Sequence, residues 1–256
     1  MGNLLLRGMI AGLIASLLAF GFAKIIGEPQ VERAIALEEA HSEGGHSHGG
    51  AADAQSEHSH VGAAEAGEEP ELVSREVQAG VGLLTGVAVY GTALGGLFAL
   101  AYAFISGRLL HLPPRSTALV LAAIGFLVLY FVPYLKYPAN PPAVGQGETI
   151  GYRTQLYFGM LVFSLMALAI AVSFGRQAFE KLGGWNASIL GAGVYLVLVA
   201  IAAYALPAIN EVPEKFPADL LWNFRIAALG TQAILWAAIG LLFGWLVVGS
   251  RERFAR

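Results

Sequence analysis

Apolar runs of about 20 residues recur along this chain, the length a helix needs to cross roughly 30 Å of hydrocarbon. Read in windows of about 19 residues, they fall near 4–26, 79–105, 117–135, 154–175, 187–206 and 225–249. Lipid offers backbone amides no partners, so a single run of this kind is expected to satisfy its own amides as a helix. The pattern predicts an all-α integral membrane protein, a bundle of about six transmembrane helices. Composition agrees, since 56% of residues are hydrophobic and only 13% are charged, roughly half the charged fraction of soluble domains. The chain has no cysteine, which excludes disulfides and thiolate metal ligation.

The first run is unbroken from Gly8 to Ile26 except at Lys24. That exceeds the roughly 7–15 residues of a signal-peptide core, and no clean A-x-A site follows, so a retained helix over 1–27 is expected. Residues 28–76 then form an acidic, histidine-rich loop with twelve acids against Arg33 and Arg75. A five-helix membrane domain follows over 77–250, and a basic tail over 251–256. Arg7, Arg108, Arg115, Arg176, Lys181, Arg251, Arg253 and Arg256, eight of the fifteen basic residues, fall on one face under this alternation. The positive-inside rule makes that face cytoplasmic. Both termini are then cytoplasmic and the histidine loop is extracytoplasmic.

Five of the six histidines lie in EEAHSEGGHSHGGAADAQSEHSH: His41, His46, His48, His58 and His60. His46 and His48 form one H-x-H pair, His58 and His60 another. In extended backbone such a pair points both rings the same way. With Glu43, Asp53 or Glu57 they supply mixed nitrogen and oxygen ligands. These suit Co²⁺, Ni²⁺ and Zn²⁺, with Cu²⁺ bound most tightly by the Irving–Williams order. The plainer reading is a solvated low-complexity linker with incidental histidines, expected to be partly disordered. His111, near the cytoplasmic face, reads as a solvated loop residue.

Small residues are spaced by four at Gly8/Gly12/Ser16, Gly82/Gly86, Gly91/Gly95 and Gly240/Gly244. The spacing predicts close helix contacts, either within the bundle or at a homo-oligomer seam. Two apolar runs end in proline-rich segments on the extracytoplasmic side. In VPYLKYPANPPAVGQGETIGYRTQ the helix should stop at Pro133, leaving Lys136, Tyr137, Pro138, Asn140, Pro141, Pro142 and Arg153 in an irregular segment. In LPAINEVPEKFPADLLWNFRIAALGTQAILW, Glu211, Asp219, Trp222 and Arg225 follow the exit, and Gln232 lies two turns deeper. Charges at membrane depth need partners, so Arg225 or Lys136 is expected to pair with one of these acids. No Asp, Glu, Lys or His occupies the centre of a run. An ion crossing the chain would therefore depend on backbone carbonyls, Gln232, Thr85, Thr92 and tyrosines, or on a partner.

The segments GEPQVERAIALEE, VSREVQAGVGLLTG, YGTALGGLFAL, VPYLKYPANPPAVG and LLWNFRIAALGTQAILW, with the histidine insert, resemble the predicted cobalt transporter subunit CbtA family over essentially the whole chain. The resemblance implies a bacterial inner-membrane protein of about five spans linked to cobalt supply for cobalamin synthesis. It also implies a small single-span histidine-bearing partner, CbtB. No phosphate-binding G-x-x-x-x-G-K-[ST] occurs, and no nucleic-acid partner or permanently bound cofactor is expected; Co²⁺ is cargo. Two readings follow. One is a cobalt importer fed by the loop; the other is a non-transporting accessory subunit that buffers or senses metal. No H-E-x-x-H, nucleophile triad or haem ligand pair supports an enzyme.

Overall fold

A computed structural model of the chain describes residues 2–44 and 73–254, and among them every regular element is helical. α1 (Gly2–Phe22) runs through a π-helical turn, Ala23–Gly27, straight into α2 (Glu28–Gly44). α3 (Arg75–Val77), a π turn over Gln78–Gly82 and α4 (Leu83–Ile105) make the second long helix. α5 (Pro114–Gly125), a π turn over Phe126–Phe131 and α6 (Val132–Lys136) make the third. A 3₁₀ turn at Gly147–Thr149 leads into α7 (Ile150–Ala205), and α8 (Ala218–Phe254) follows.

Five of these helices are long and apolar enough to cross a membrane. The difference from the six apolar runs lies in α7, which contains two of them. At Gly183 the backbone leaves the helix (φ 72°, ψ 165°), a conformation glycine adopts without a Cβ penalty. The arms 150–182 and 184–205 fold back on each other. Gly175 approaches the Ala187 carbonyl, Gly191 approaches that of Ala171, and Ser164 and Tyr195 share a buried hydrogen bond of 2.8 Å. Between 22% and 39% of each apolar window is buried, so most of the apolar surface faces outward. Outside a bilayer such a surface would drive aggregation; this is a multi-pass membrane protein.

Two expectations need correction, and both involve proline. Residues 28–44 are helical, although they belong to the stretch read as a loop from 28 to 76. The third helix continues past Pro133 to Lys136 rather than stopping at the proline. A proline clashes with the carbonyl four residues earlier and removes one hydrogen bond. Here a π turn lies just before each proline, at 23–27 before Pro29 and at 126–131 before Pro133. The extra residue in the π turn shifts the register of the ladder where the conflict would fall.

The bundle is held by backbone contact more than by large side chains. Gly8 and Gly12 of α1 lie against the carbonyls of Gly95 and Gly91 of α4, and Gly91 also meets Ser16. A Cβ on Gly8, Gly12 or Gly95 would overlap main-chain atoms that cannot move aside. α8 packs on α5 in the same manner, with Gly240 on Ala122 and Gly244 on Arg115 and Ala118. Around these seams Phe98, Tyr102, Leu235, Ile239 and Phe243 form one buried cluster, with Phe243 edge-on to both Phe98 and Tyr102. A second cluster, Val128, Val132, Met160, Ala167, Ala171 and Tyr195, joins the α7 arms to the latter half of the third helix. Ser164 also donates to the Val128 carbonyl at 2.8 Å. Gly82 and Gly86 meet no other helix, so the spacing rule overreaches there.

This packing predicts a sharp contrast between glycines of one helix. Gly95→Val should destabilise the detergent-solubilised protein by about 3 kcal/mol, the upper range for overpacking. Gly86→Ala should be neutral or slightly stabilising, since its Cβ meets open space and alanine favours helix. Thermal unfolding of the two variants in the same detergent checks this.

Candidate functional site

Alternation of the helices gathers α2 and the segments 137–149 and 206–217 at one end of the bundle. An open cavity of about 720 Å³ lies there, floored and walled by the ends of the third helix, the α7 arms and α8. Tyrosines reach it because Tyr130 and Tyr134 sit at i, i+4 spacing on one face of the third helix. Their rings stack at 5.5 Å between centroids, and Phe126 continues the stack at 6.0 Å.

Three sets of bonds fix the rim. Tyr134 Oη donates to the Arg225 carbonyl at 2.7 Å, and Arg225 donates back to Asn140 Oδ1 at 2.9 Å and to the Ala139 carbonyl at 3.3 Å. Tyr137 Oη donates to the Pro207 carbonyl at 2.8 Å, joining the two proline-rich exits. Across the mouth, Glu211 Oε2 accepts from the Gln146 N–H at 3.0 Å and the Thr149 hydroxyl at 2.9 Å. Arg153 Nε approaches the same oxygen at 3.5 Å, and Arg153 Nη2 donates to the Gln146 carbonyl at 3.2 Å. Its guanidinium occupies the space where a side chain of Gly145 would stand, and Gly145 has φ +106°, so both sterics and backbone require glycine there.

Eight of the residues singled out from sequence meet in this cavity: Tyr137, Pro138, Asn140, Pro141, Pro142, Arg153, Glu211 and Arg225. Five do not line it. Pro133 is buried within the third helix, and the Lys136 ammonium lies over the Tyr137 ring at 5.8 Å. Asp219 pairs with Arg33 of α2 at 3.6 Å, and Trp222 is 65% exposed on the outer surface. Gln232 lies deeper, in contact with the Tyr90 hydroxyl, and its Oε1 is buried without a hydrogen-bond partner. The expected ion pair of Arg225 or Lys136 with an acid does not form. Arg225 is served instead by neutral oxygens, which the bent segment 139–140 brings within reach. Tyr130, Tyr134, Tyr157 and Asn210 also line the cavity; the i, i+4 tyrosines of VLYFVPYLKY were the available signal for two of them.

Other candidates have different fates. The Thr85 and Thr92 hydroxyls donate to carbonyls of their own helix, Val81 at 2.8 Å and Ala88 at 2.7 Å. His41 lies in the last turn of α2, its side chain outside what is described, and His46, His48, His58 and His60 fall outside the described residues. Among the described residues no three His, Asp or Glu side chains converge as a metal site. Glu28, buried at the base of α2, is paired with Arg75, which fastens the start of α2 to the start of the second helix.

The cavity has a definite charge. Among the described residues Glu211 is the one acid lining it, and Arg153 answers it; the hydrogen-bond partners of Arg225 are neutral oxygens. The starts of α7 and α8 and the ends of the third helix and of α7 surround the cavity, so their dipoles largely offset one another. A divalent ion roughly 6 Å from one uncompensated guanidinium is repelled by about 5.5 kcal/mol at an effective dielectric of about 20.

The fold defines a multi-pass helical membrane protein with an open cavity at one end of the bundle, where arginines, a glutamate and tyrosines meet apolar side chains. A model of the family described as probable cobalt transporter subunit (CbtA) matches residues 1–248, and the chain belongs to that family. No curated protein and no solved structure matches it significantly.

The Glu211 bonds give a pH prediction. The Gln146 N–H, then the Thr149 hydroxyl, with Arg153 adding to them, hold its carboxyl below the ordinary value of 4.5. A depressed folded-state pKa contributes stability that is fully present above the unfolded value and is lost as pH falls through the folded one. Glu211→Gln should therefore lower the thermal midpoint at neutral pH. The difference from the parent should close progressively below about pH 4.5, the ordinary value, as a pH series of melting curves would reveal.

Proposed function

We propose that this chain is the principal membrane subunit of a bacterial cobalt uptake system, working in the inner membrane with both termini in the cytoplasm. The histidine-rich segment captures divalent metal outside the cell, and the cavity between the two proline-rich exits is the vestibule through which metal approaches the bundle. The observation that carries this reading is the convergence of both exits on one cavity at the end of the bundle from which α2 projects. The positive-inside pattern assigns that end to the outside. Six crossings follow if each α7 arm spans the bilayer, and at about 1.5 Å per residue both arms are long enough. Beneath the vestibule, Tyr130 lies in the neighbourhood of Tyr90, and Tyr90 touches Gln232. These neutral oxygens continue the polar surface inward.

The family's description as a subunit supports a partner, and a small single-span histidine-bearing protein suits the chemistry: the described part of the chain lacks strong metal ligands within the membrane. The second reading, an accessory subunit that buffers or senses metal, draws on that same lack.

Radiolabelled cobalt uptake into cells expressing this chain, alone and with the small partner, separates the two. Uptake in either condition supports transport, whereas none in both, with metal still bound by the protein, supports the accessory role. Removal of residues 41–60 should raise the cobalt concentration for half-maximal uptake several-fold and leave the maximal rate largely intact. Loss of the maximal rate would mean the histidines act in translocation rather than capture. Capture should also weaken as pH falls through about 6.5, where imidazole protonates.

A further inference from the structure

The vestibule is built for an anion, and this conflicts with a bare divalent cation as its occupant. Arg225 carries an unneutralised charge there, held by the Asn140 amide oxygen and the Ala139 carbonyl. Glu211 has one carboxylate oxygen, Oε2, engaged by Gln146, Thr149 and Arg153, and the Arg153 guanidinium offsets its charge. No group of three metal-binding side chains is present among the described residues. The open cavity of roughly 720 Å³ has room for an ion together with a wrapping ligand.

Resting on the transport reading above, we infer that the vestibule receives its metal as a small anionic chelate, a divalent ion wrapped by a polycarboxylate. In such a complex the metal's charge is already outweighed by its ligands. Outward-pointing carboxylate oxygens then find the donors that line this cavity: the guanidinium of Arg225, the amides of Asn140 and Asn210, and the phenols of Tyr130 and Tyr157. Arginine suits this task because its planar fork grips carboxylates two oxygens at a time. Arg225 is pre-positioned by its two acceptor contacts and by the Tyr134 bond to its own carbonyl. The histidine-rich segment would gather metal outside, and the vestibule would take it in once it is held in an anionic complex.

The test uses two exchange-inert cobalt(III) complexes, which cannot hand their metal to the histidines. One is the singly charged EDTA anion and the other the hexaammine cation. The purified full chain should bind the anion, and excess hexaammine should not displace it. Arg225→Gln should weaken anion binding about tenfold or more, and Arg225→Lys should weaken it less. Melting curves establish that each variant is folded, and Asn140→Ala provides a second variant with the charge kept, expected to weaken binding several-fold. Equal binding by parent and folded Arg225→Gln, or displacement of the anion by the cation, overturns the inference. A parallel uptake comparison supplies radiolabelled cobalt either with citrate or in a non-coordinating buffer. Faster uptake from citrate supports the inference. Uptake from uncomplexed metal alone overturns it and leaves the transport reading standing. Uptake from neither removes the transport reading, and the binding result alone then decides what the vestibule prefers.

Discussion

Contact between the backbones of α1 and α4 is the constraint on which the rest of the bundle depends. In lipid, apolar side chains gain nothing from leaving water, so helices associate through close packing and hydrogen bonding. Gly8 and Gly12 against the carbonyls of Gly95 and Gly91 bring two main chains together along the centre of the molecule. α8 packs beside this pair, with Phe22 lying where a side chain of Gly230 would stand. α5 then closes on α8 through Gly240 and Gly244. Large residues such as Phe243 and Leu235 fill the remaining space. The α7 arms attach to the latter half of the third helix, residues 126–136.

That hierarchy explains where polar groups can be placed. The tightly packed part of the bundle contains few of them, and Gln232 Oε1 and Trp236 Nε1 are buried there without partners. Polar chemistry gathers at the looser junction between the α7 arms, the third helix and α8. Irregular backbone is tolerated at that depth because protein covers it or a cavity adjoins it. Pro138, Pro141 and Pro142 have no N–H to satisfy, so a segment rich in them suits a place where hydrogen-bond donors are better supplied by side chains.

Much of this was readable from the residues, for identifiable reasons. Apolar length located the five helices long enough to cross a membrane, and the small-residue spacing found the α1–α4 and α5–α8 seams. The proline-rich exits pointed to eight residues that line one cavity. The failures arose where a local rule had a remedy elsewhere in the chain. Pro133 reads as a helix stop, yet a π turn ending two residues upstream absorbs the conflict. Gly183 is one glycine of a Gly-Gly pair, and only its φ of 72° reveals that a turn is made there. Arg225 seemed to require an acid; two neutral oxygens at a bend suffice, and their approach depends on how segment 137–146 folds. Asp219 and Trp222 point elsewhere because a helix start presents successive residues to different sides.

The α7 arms have a mechanical meaning as well. Arg153, and Glu211 just beyond the second arm, stand on one wall of the vestibule, while Arg225 and Asn140 stand on the other. Among the helices, the arms pack on the remainder chiefly through the latter half of the third helix, so the vestibule lies at the seam between the two parts. For a lever about 30 Å long, the thickness of the hydrocarbon, a tilt of about 10° displaces the far end by roughly 5 Å. A rocking motion that leaves the glycine seams untouched would thus widen or pinch the mouth by more than the diameter of a water molecule.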